Sequence, residues 1–297
     1  MGFAVGTLAL AQPQCEGAPI LLPRSGVDIF FVIDVSRSMR AQDVAPDRLE
    51  RAKAEVSAAL PALGDNRIGI IAFAGTAFVQ CPLTTDVEAV RMFLAALNPE
   101  SVPQGGTSLA AGLEVAHNAF LAESDGTPGR KPAGRVVVVI TDGEDHEGGL
   151  EAISAKLKEA KVATMLIGIG LRTGQPIPRP RADGGSPGYL TDRAGKTIMS
   201  RMDPLVLQGI ATAVGGAFVD GTTLRDFGLS ELKAIVGGLE KRDLEARTRR
   251  EKVDHGAMVA AWAGVLLFLH LALPQRVSSS NGRGGWRGGL GPRRGPT

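Results

Sequence analysis

The sequence is short of cysteine, of aromatic residues and of net charge. Cysteine occurs only at positions 15 and 81. Two thiols build no disulfide framework, and a cysteine in an apolar stretch, as Cys81 is, reads as a small hydrophobe. Aromatic residues make up 4% of the chain, so the core must be assembled from valine, isoleucine, leucine and alanine. The net charge of +2 points neither toward nor away from a polyanion. Several motifs are missing too. No GxxxxGK[ST] phosphate loop occurs. Gly168-Ile169-Gly170 follows an apolar run, but prolines come next rather than a glycine-capped helix, which argues against a dinucleotide site. No Ser/His/Asp set stands in a recognisable context.

What is present is apolar patterning on two periods. Four short, continuous apolar runs recur at Asp28–Asp34, Arg67–Gly75, Arg135–Thr141 and Lys161–Gly170. Continuous rather than alternating runs belong to parallel strands covered on both faces. Between them the period becomes helical. Leu49, Ala52, Val56 and Leu60 follow Pro46-Asp47, and Leu109, Leu113, Ala116 and Phe120 follow Thr107-Ser108. Thr84–Leu97, with Val87, Val90 and Leu94 inward, and Leu150, Ile153, Leu157 and Ala160 supply two more. Strands alternating with helices predict an α/β fold, a doubly wound, mostly parallel sheet flanked by helices. Gly75-Thr76 predicts one antiparallel hairpin that puts Ala77–Leu83 at an edge. A proline- and glycine-rich excursion covers Leu171–Ser200, with a small hairpin over Asp192–Met202 turning at Ala194-Gly195. A helix over Asp203–Val214 and a strand at Ala217–Asp220 complete the pattern.

Open α/β sheets bind ligands beyond the carboxyl ends of their strands. Three short sequences stand there: Asp34-Val35-Ser36-Arg37-Ser38, Gly105-Gly106-Thr107 and Thr141-Asp142-Gly143. Their oxygen donors, Asp34, Ser36, Ser38, Thr107 and Asp142, include no histidine or cysteine. That set suits a hard divalent cation, Mg²⁺ first and Mn²⁺ second. Each element alone is an ordinary helix cap or turn; the three together at strand ends are not. Asp142–Glu147 is acidic and contains His146, which invites a zinc or catalytic reading, but a solvated loop beside the metal site is the simpler one. Asp34-Val35-Ser36 lacks the second aspartate of the phosphatases that use an aspartyl nucleophile.

Taken in order, DVSRS, GGT and TDGED resemble the metal-ion-dependent adhesion site of von Willebrand A domains, over roughly residues 27–222. The resemblance implies that Asp34, Ser36, Ser38, Thr107 and Asp142 hold the ion, directly or through water. It also implies that a partner's aspartate or glutamate takes the open position. MRAQDVAPDRLERAK, NRIGIIAFAGTAFVQCPLTTD and VVVVITDGEDHEGG are similar to the bacterial Bat (aerotolerance-type, BatB/BatA-like) membrane proteins. That likeness implies Bat relatives and a MoxR-type AAA+ ATPase as partners, in envelope integrity or stress tolerance.

The ends of the chain suggest a membrane. Residues 255–274 contain GAMVAAWAGVLLFLHLALP, which has no Asp, Glu, Lys or Arg and is nearly the roughly 20 residues a spanning helix needs. It reads as a C-terminal transmembrane helix, with His270 neutral and packed. The expected organisation is a hydrophobic remnant and linker (1–26), the metal-binding domain (27–222), a charged juxtamembrane helix (223–254), the transmembrane helix (255–274) and a basic Gly/Arg tail (275–297). MGFAVGTLALA is too short to span and lacks a basic signal region; LALAQPQ resembles the end of the membrane helix that precedes the domain in the Bat family. The acid-free tail, with Arg276, Arg283, Arg287, Arg293 and Arg294, favours a cytoplasmic C-terminus. The domain is then extracytoplasmic, in a periplasm if there is one, on the cell (inner) membrane. Lipid head groups are nearer anions for the tail than nucleic acid, so no nucleic-acid partner is expected. The expected role is a binding module and not an enzyme. The alternative is a metal-dependent enzyme or a chelatase-like, ATPase-coupled subunit, for which a terminal membrane helix would be out of place.

Overall fold

A computed structural model of the chain describes residues 26–102, 106–126, 134–144, 148–179, 188–223 and 226–250, together with Val265 and Phe268. One compact unit spans Leu21–Arg250. The expected transmembrane helix apart from those two residues, with His270, and likewise the basic tail, the N-terminal leader with Cys15, and Asp145-His146-Glu147 lie outside the described residues. Among the described residues no helix is long and apolar enough to cross a membrane.

The four apolar runs form the centre of one six-stranded sheet. Its strands are β1 (Asp28–Asp34), β2 (Arg67–Phe73), β3 (Ala77–Thr84), β4 (Arg135–Thr141), β5 (Ala163–Gly168) and, after four short strands described below, β10 (Ala217–Asp220). The order is β10-β5-β4-β1-β2-β3. All neighbours are parallel except β2 and β3, the expected edge hairpin. β1 lies between β2 and β4, with Asp34 beside Phe73 and Ile33 beside Ile140. The chain winds outward from β1 in both directions, which makes the carboxyl end of β1 the topological switch point.

Every residue of β1 is buried, and the two faces pack separately. Ile29, Phe31 and Ile33 meet Leu49, Val56, Val90 and Leu94 from α1 (Arg48–Ala59) and α2 (Val87–Ala95). Phe30 and Val32 meet Leu109, Leu113, Phe120, Leu157 and Leu207 from α3 (Leu109–Gly126), α4 (Leu150–Glu159) and α5 (Pro204–Val214). Removing side chains of this size from water contributes about 1.5–3 kcal/mol each, which is why a core with so few aromatics suffices. Two of the buried aromatics meet each other: Phe30 lies edge to face with Phe120 at 5.0 Å.

Three elements differ from expectation. α2 starts at Val87 rather than Thr84, because Thr84 still pairs with Ile68 in the sheet and Asp86 caps the helix by accepting from the Glu88 and Ala89 amides. The hairpin at Ala194-Gly195 is shorter than Asp192–Met202. It closes at the Thr191–Thr197 bridge, and its outgoing arm then leaves to form β9 (Met199–Ser200) against β6 (Gln175–Pro176). A second pair, β7 (Pro178–Arg179) with β8 (Gly188–Tyr189), braces the same excursion. Finally, α6 (Leu229–Arg250) begins as a core element. Leu232 and Val236, one turn apart, are buried with Phe227 on the α1 side of the sheet.

Candidate metal centre

The Asp-x-Ser-x-Ser loop folds because its own first residue caps it. Asp34, the last residue of β1, accepts the Ser36 amide on Oδ1 at 2.8 Å. Val35 stays in line with the sheet through its amide, which donates to the Phe73 carbonyl at 2.8 Å. A short 3-10 turn at Arg37–Arg40 buries Met39 and turns the chain back. The result brings the Ser36 and Ser38 hydroxyl oxygens to 2.9 Å from each other.

Thr141, the last residue of β4, joins this loop to the next. Its hydroxyl donates to Asp34 Oδ2 at 2.7 Å and accepts the Gly143 amide at 3.1 Å. Asp142 follows it, fully buried, and accepts the Glu144 amide on Oδ1 at 3.2 Å. Thr107 precedes the capping residue of α3. The amide of that residue, Ser108, donates to the Ala74 carbonyl just beyond β2 at 2.7 Å. The structure therefore gathers Asp34, Ser36, Ser38 and Asp142 around the ends of β1 and β4, with Thr107 at the same end of the sheet. All five are at most 6% exposed.

One residue that holds this site is absent from the sequence reading. Arg48, the first residue of α1, is completely buried. Its Nε and Nη2 form a fork on Asp43 at 2.9 and 2.6 Å. Its Nη1 donates to Asp142 Oδ2 at 2.8 Å and to Ser200 Oγ at 2.6 Å. Asp43 Oδ2 also accepts the Leu171 amide at 2.7 Å. Arg48 thus ties the Asp142 loop, the start of α1 and the 171–202 excursion into one network. Gly170 is where the excursion passes over it. Its φ is +125°, and a Cβ there would lie 2.6 Å from Arg48 Nε, so both the backbone and the space demand glycine. The sequence carried a signal for Arg48: it falls one turn before Ala52 on the apolar stripe Ala52, Val56, Leu60. An arginine on a core stripe calls for a buried carboxylate.

The electrostatics favour a cation. Burial first, and then the neighbouring Asp142 charge, raise the Asp34 carboxyl to about 7 against the lowering effect of its bonds from Thr141 and Ser36. Burial, then Asp142, also raises Glu144. Burial pushes Asp43 up as well, but the Arg48 and Leu171 bonds outweigh it and hold Asp43 below its usual range. The buried cation Arg48 pairs with the Asp43 and Asp142 carboxylates, and Asp34 is buried beside Asp142. With all ionised, two negative charges are in excess, which a divalent ion would balance. Among the described residues no three His, Cys, Asp or Glu side chains gather to hold a metal. The donor set is instead two carboxylates with serine and threonine hydroxyls, which fits a hard ion and not a soft one.

A pH dependence follows. In the metal-free protein Asp34 keeps its proton up to about pH 7, whereas the ordinary value is 3.8. Between those values the folded state binds more protons than the unfolded one, so this group lowers stability as pH rises through that window. A bound cation removes the penalty. Mg²⁺ is therefore expected to raise the melting temperature more at pH 8 than at pH 5.5, measured by scanning fluorimetry on one preparation. Equal shifts at both would contradict the assignment.

The profile of the von Willebrand factor type A domain matches residues 29–144. BatB from Bacteroides thetaiotaomicron is 33% identical, with 73% of this chain and 100% of that chain covered and a TM-score of 0.64. An aerotolerance-related membrane protein from Bacteroides fragilis is 34% identical over the same shares, with a TM-score of 0.62. A UPF0353 protein of Mycobacterium avium is 30% identical over 191 residues, 58% of this chain and 55% of its own length. The chain spans about half the length of such curated relatives.

Proposed function

We propose that this chain, which belongs to the von Willebrand A proteins of the Bat, aerotolerance-related type, grips an acidic residue of a partner protein through Mg²⁺ or Mn²⁺. The ion is held by Asp34, Ser36, Ser38, Thr107 and Asp142. Domains of this family typically mediate protein interactions through such a metal site. The observation that carries the reading is the convergence of the Ser36 and Ser38 hydroxyls at 2.9 Å beside two buried carboxylates at the switch point. When bound, the ion supplies a Lewis-acid seat for a carboxylate. Ser36, Ser38 and Thr107 contribute neutral oxygens, so the ion keeps positive charge for the partner. Arg48 draws on the charge of Asp142 and acts in the same direction. Thr141 and the Ser36 amide hold both oxygens of Asp34 in place.

The site works by binding and not by catalysis. The 255–274 segment anchors it to a bacterial inner membrane with the domain on the extracytoplasmic side. Bat relatives and a MoxR-type AAA+ ATPase share its complex. That the Bacteroides fragilis relative is an aerotolerance-related membrane protein supports the anchoring. The test is affinity capture on the full chain in its native membrane, read by mass spectrometry. Proteins captured in Mg²⁺ are expected to be lost in EDTA and with Asp34→Ala. Equal capture in all three arms would sink the metal bridge. Labelling of a cysteine tag on the domain by an impermeant reagent in intact cells tests the sidedness; labelling only after lysis would reverse it.

A further inference from the structure

We propose that the end of the 171–202 excursion and the first turn of α5 form the second half of the docking surface. They select a partner segment that carries apolar side chains beside the acidic residue. This rests on the metal-bridge reading above and adds to it what the partner must look like around its carboxylate.

The excursion leaves the sheet after β5, and α5 starts where the excursion ends, so both stand at the carboxyl end of the sheet with the metal site. The chain there alternates between anchors and exposed apolar residues. Ser200 is completely buried and accepts Arg48 Nη1, the same nitrogen that holds Asp142. Its neighbour Met199 is 54% exposed. The Arg201 amide donates to Glu144 Oε1 at 2.9 Å, two residues past Asp142. Leu207 is buried against Gly143, where a Cβ would come 2.8 Å from Leu207 Cγ. Just before it, Leu205 is 84% and Val206 45% exposed. Met199, Leu205 and Val206 are thus each within two residues of a side chain or amide bound to the Asp142–Glu144 loop. Large apolar groups left in water together on the rim of a site are what an interaction surface presents.

Charge narrows the occupant. From residue 188 to the start of α5 the exposed Arg193, Lys196 and Arg201 stand against Asp192 and Asp203. A rim with exposed apolar groups and more basic than acidic side chains, tied to a carboxylate-binding cation site through Ser200 and Arg201, fits an acidic segment with Leu, Ile, Val or Phe near its metal-bound Asp or Glu. The anchors tie the rim to the loop that carries Asp142, since Arg48 holds both Asp142 and Ser200 and Glu144 accepts the Arg201 amide.

The probe is a randomised peptide library displayed on phage, sorted on the full chain in detergent with Mg²⁺ and again in EDTA. Peptides enriched in Mg²⁺ are expected to pair an acid with nearby apolar residues. The variant Met199→Ser/Leu205→Ser/Val206→Ser should keep the Mg²⁺-dependent melting shift and the preference for an acid. It should lose the apolar preference and bind the best wild-type peptide about tenfold more weakly by fluorescence anisotropy. An acid preference with no apolar partner, or unchanged affinity in the triple variant, would overturn the proposal and leave the metal bridge standing. No Mg²⁺-dependent enrichment at all would remove the metal bridge and this proposal with it. Self-association, or binding to phosphatidylglycerol vesicles, that the triple variant abolishes without changing peptide affinity would assign the rim to a second copy or a bilayer instead.

Discussion

Replacing Arg48 with alanine is expected to destabilise the metal-free protein by about 3–5 kcal/mol, the usual effect of removing one partner from a buried ion pair. The loss comes less from the missing attraction than from what stays behind. Asp43 and Asp142 would remain buried, and the Arg48 nitrogens are replaced by nothing. Ser200 would lose its hold on α1 at the same time, so the excursion should loosen. Arg48→Lys should recover only part of the stability, because one ammonium cannot make the two-pronged bond to Asp43 and still reach Asp142 and Ser200. Mg²⁺ should narrow the gap between wild type and Arg48→Ala, since the variant site carries one more uncompensated negative charge. Denaturant unfolding with and without Mg²⁺ measures all three. A loss below about 1 kcal/mol, the range of an exposed pair, would mean that the network is not buried in solution.

The second large effect is expected at Asp34, and it divides metal binding from folding. Asp34→Asn keeps the shape and the oxygen that caps the Ser36 amide, but removes a buried charge. That charge is unfavourable in the metal-free protein, where burial and Asp142 raise the carboxyl to about 7. At pH 8 the metal-free variant should therefore be at least as stable as wild type. The stabilisation that Mg²⁺ gives wild type, about 2.7 kcal/mol at a hundredfold excess over its dissociation constant, should vanish. A variant that is unstable without metal would show that Asp34 serves the fold first. A variant that still gains the full Mg²⁺ stabilisation would place the ion elsewhere.

The central sheet, and the gathering of the five proposed donors at its carboxyl end, were legible in the sequence because each rests on a local pattern. Strands buried on both faces write themselves as continuous apolar runs, so Asp28–Asp34 and Arg135–Thr141 were delimited to the residue. Asp34, Ser36 and Ser38 share one loop whose own hydrogen bonds shape it. Arg48 was not legible in the same way, since its partners Asp142 and Ser200 are 94 and 152 residues away and only the fold brings them near. The small strands of the excursion were missed for a related reason. Two-residue pairs carry no periodicity, and the arm beyond Ile198 pairs with a segment two dozen residues earlier in place of its own hairpin. The core role of α6 was hidden by composition. Leu232 and Val236 stand in the first half of a helix whose second half is dense in charge.

The most direct test of the metal centre is an electron paramagnetic resonance titration of the full chain with Mn²⁺. The free-ion signal should fall as one Mn²⁺ binds per chain and return when excess Mg²⁺ displaces it. Ser36→Ala/Ser38→Ala and Asp142→Ala should each abolish that binding, while substitutions at the exposed Leu205 should leave it intact. Binding of Mn²⁺ that is undiminished in both site variants would contradict the assignment of the ion to this loop cluster.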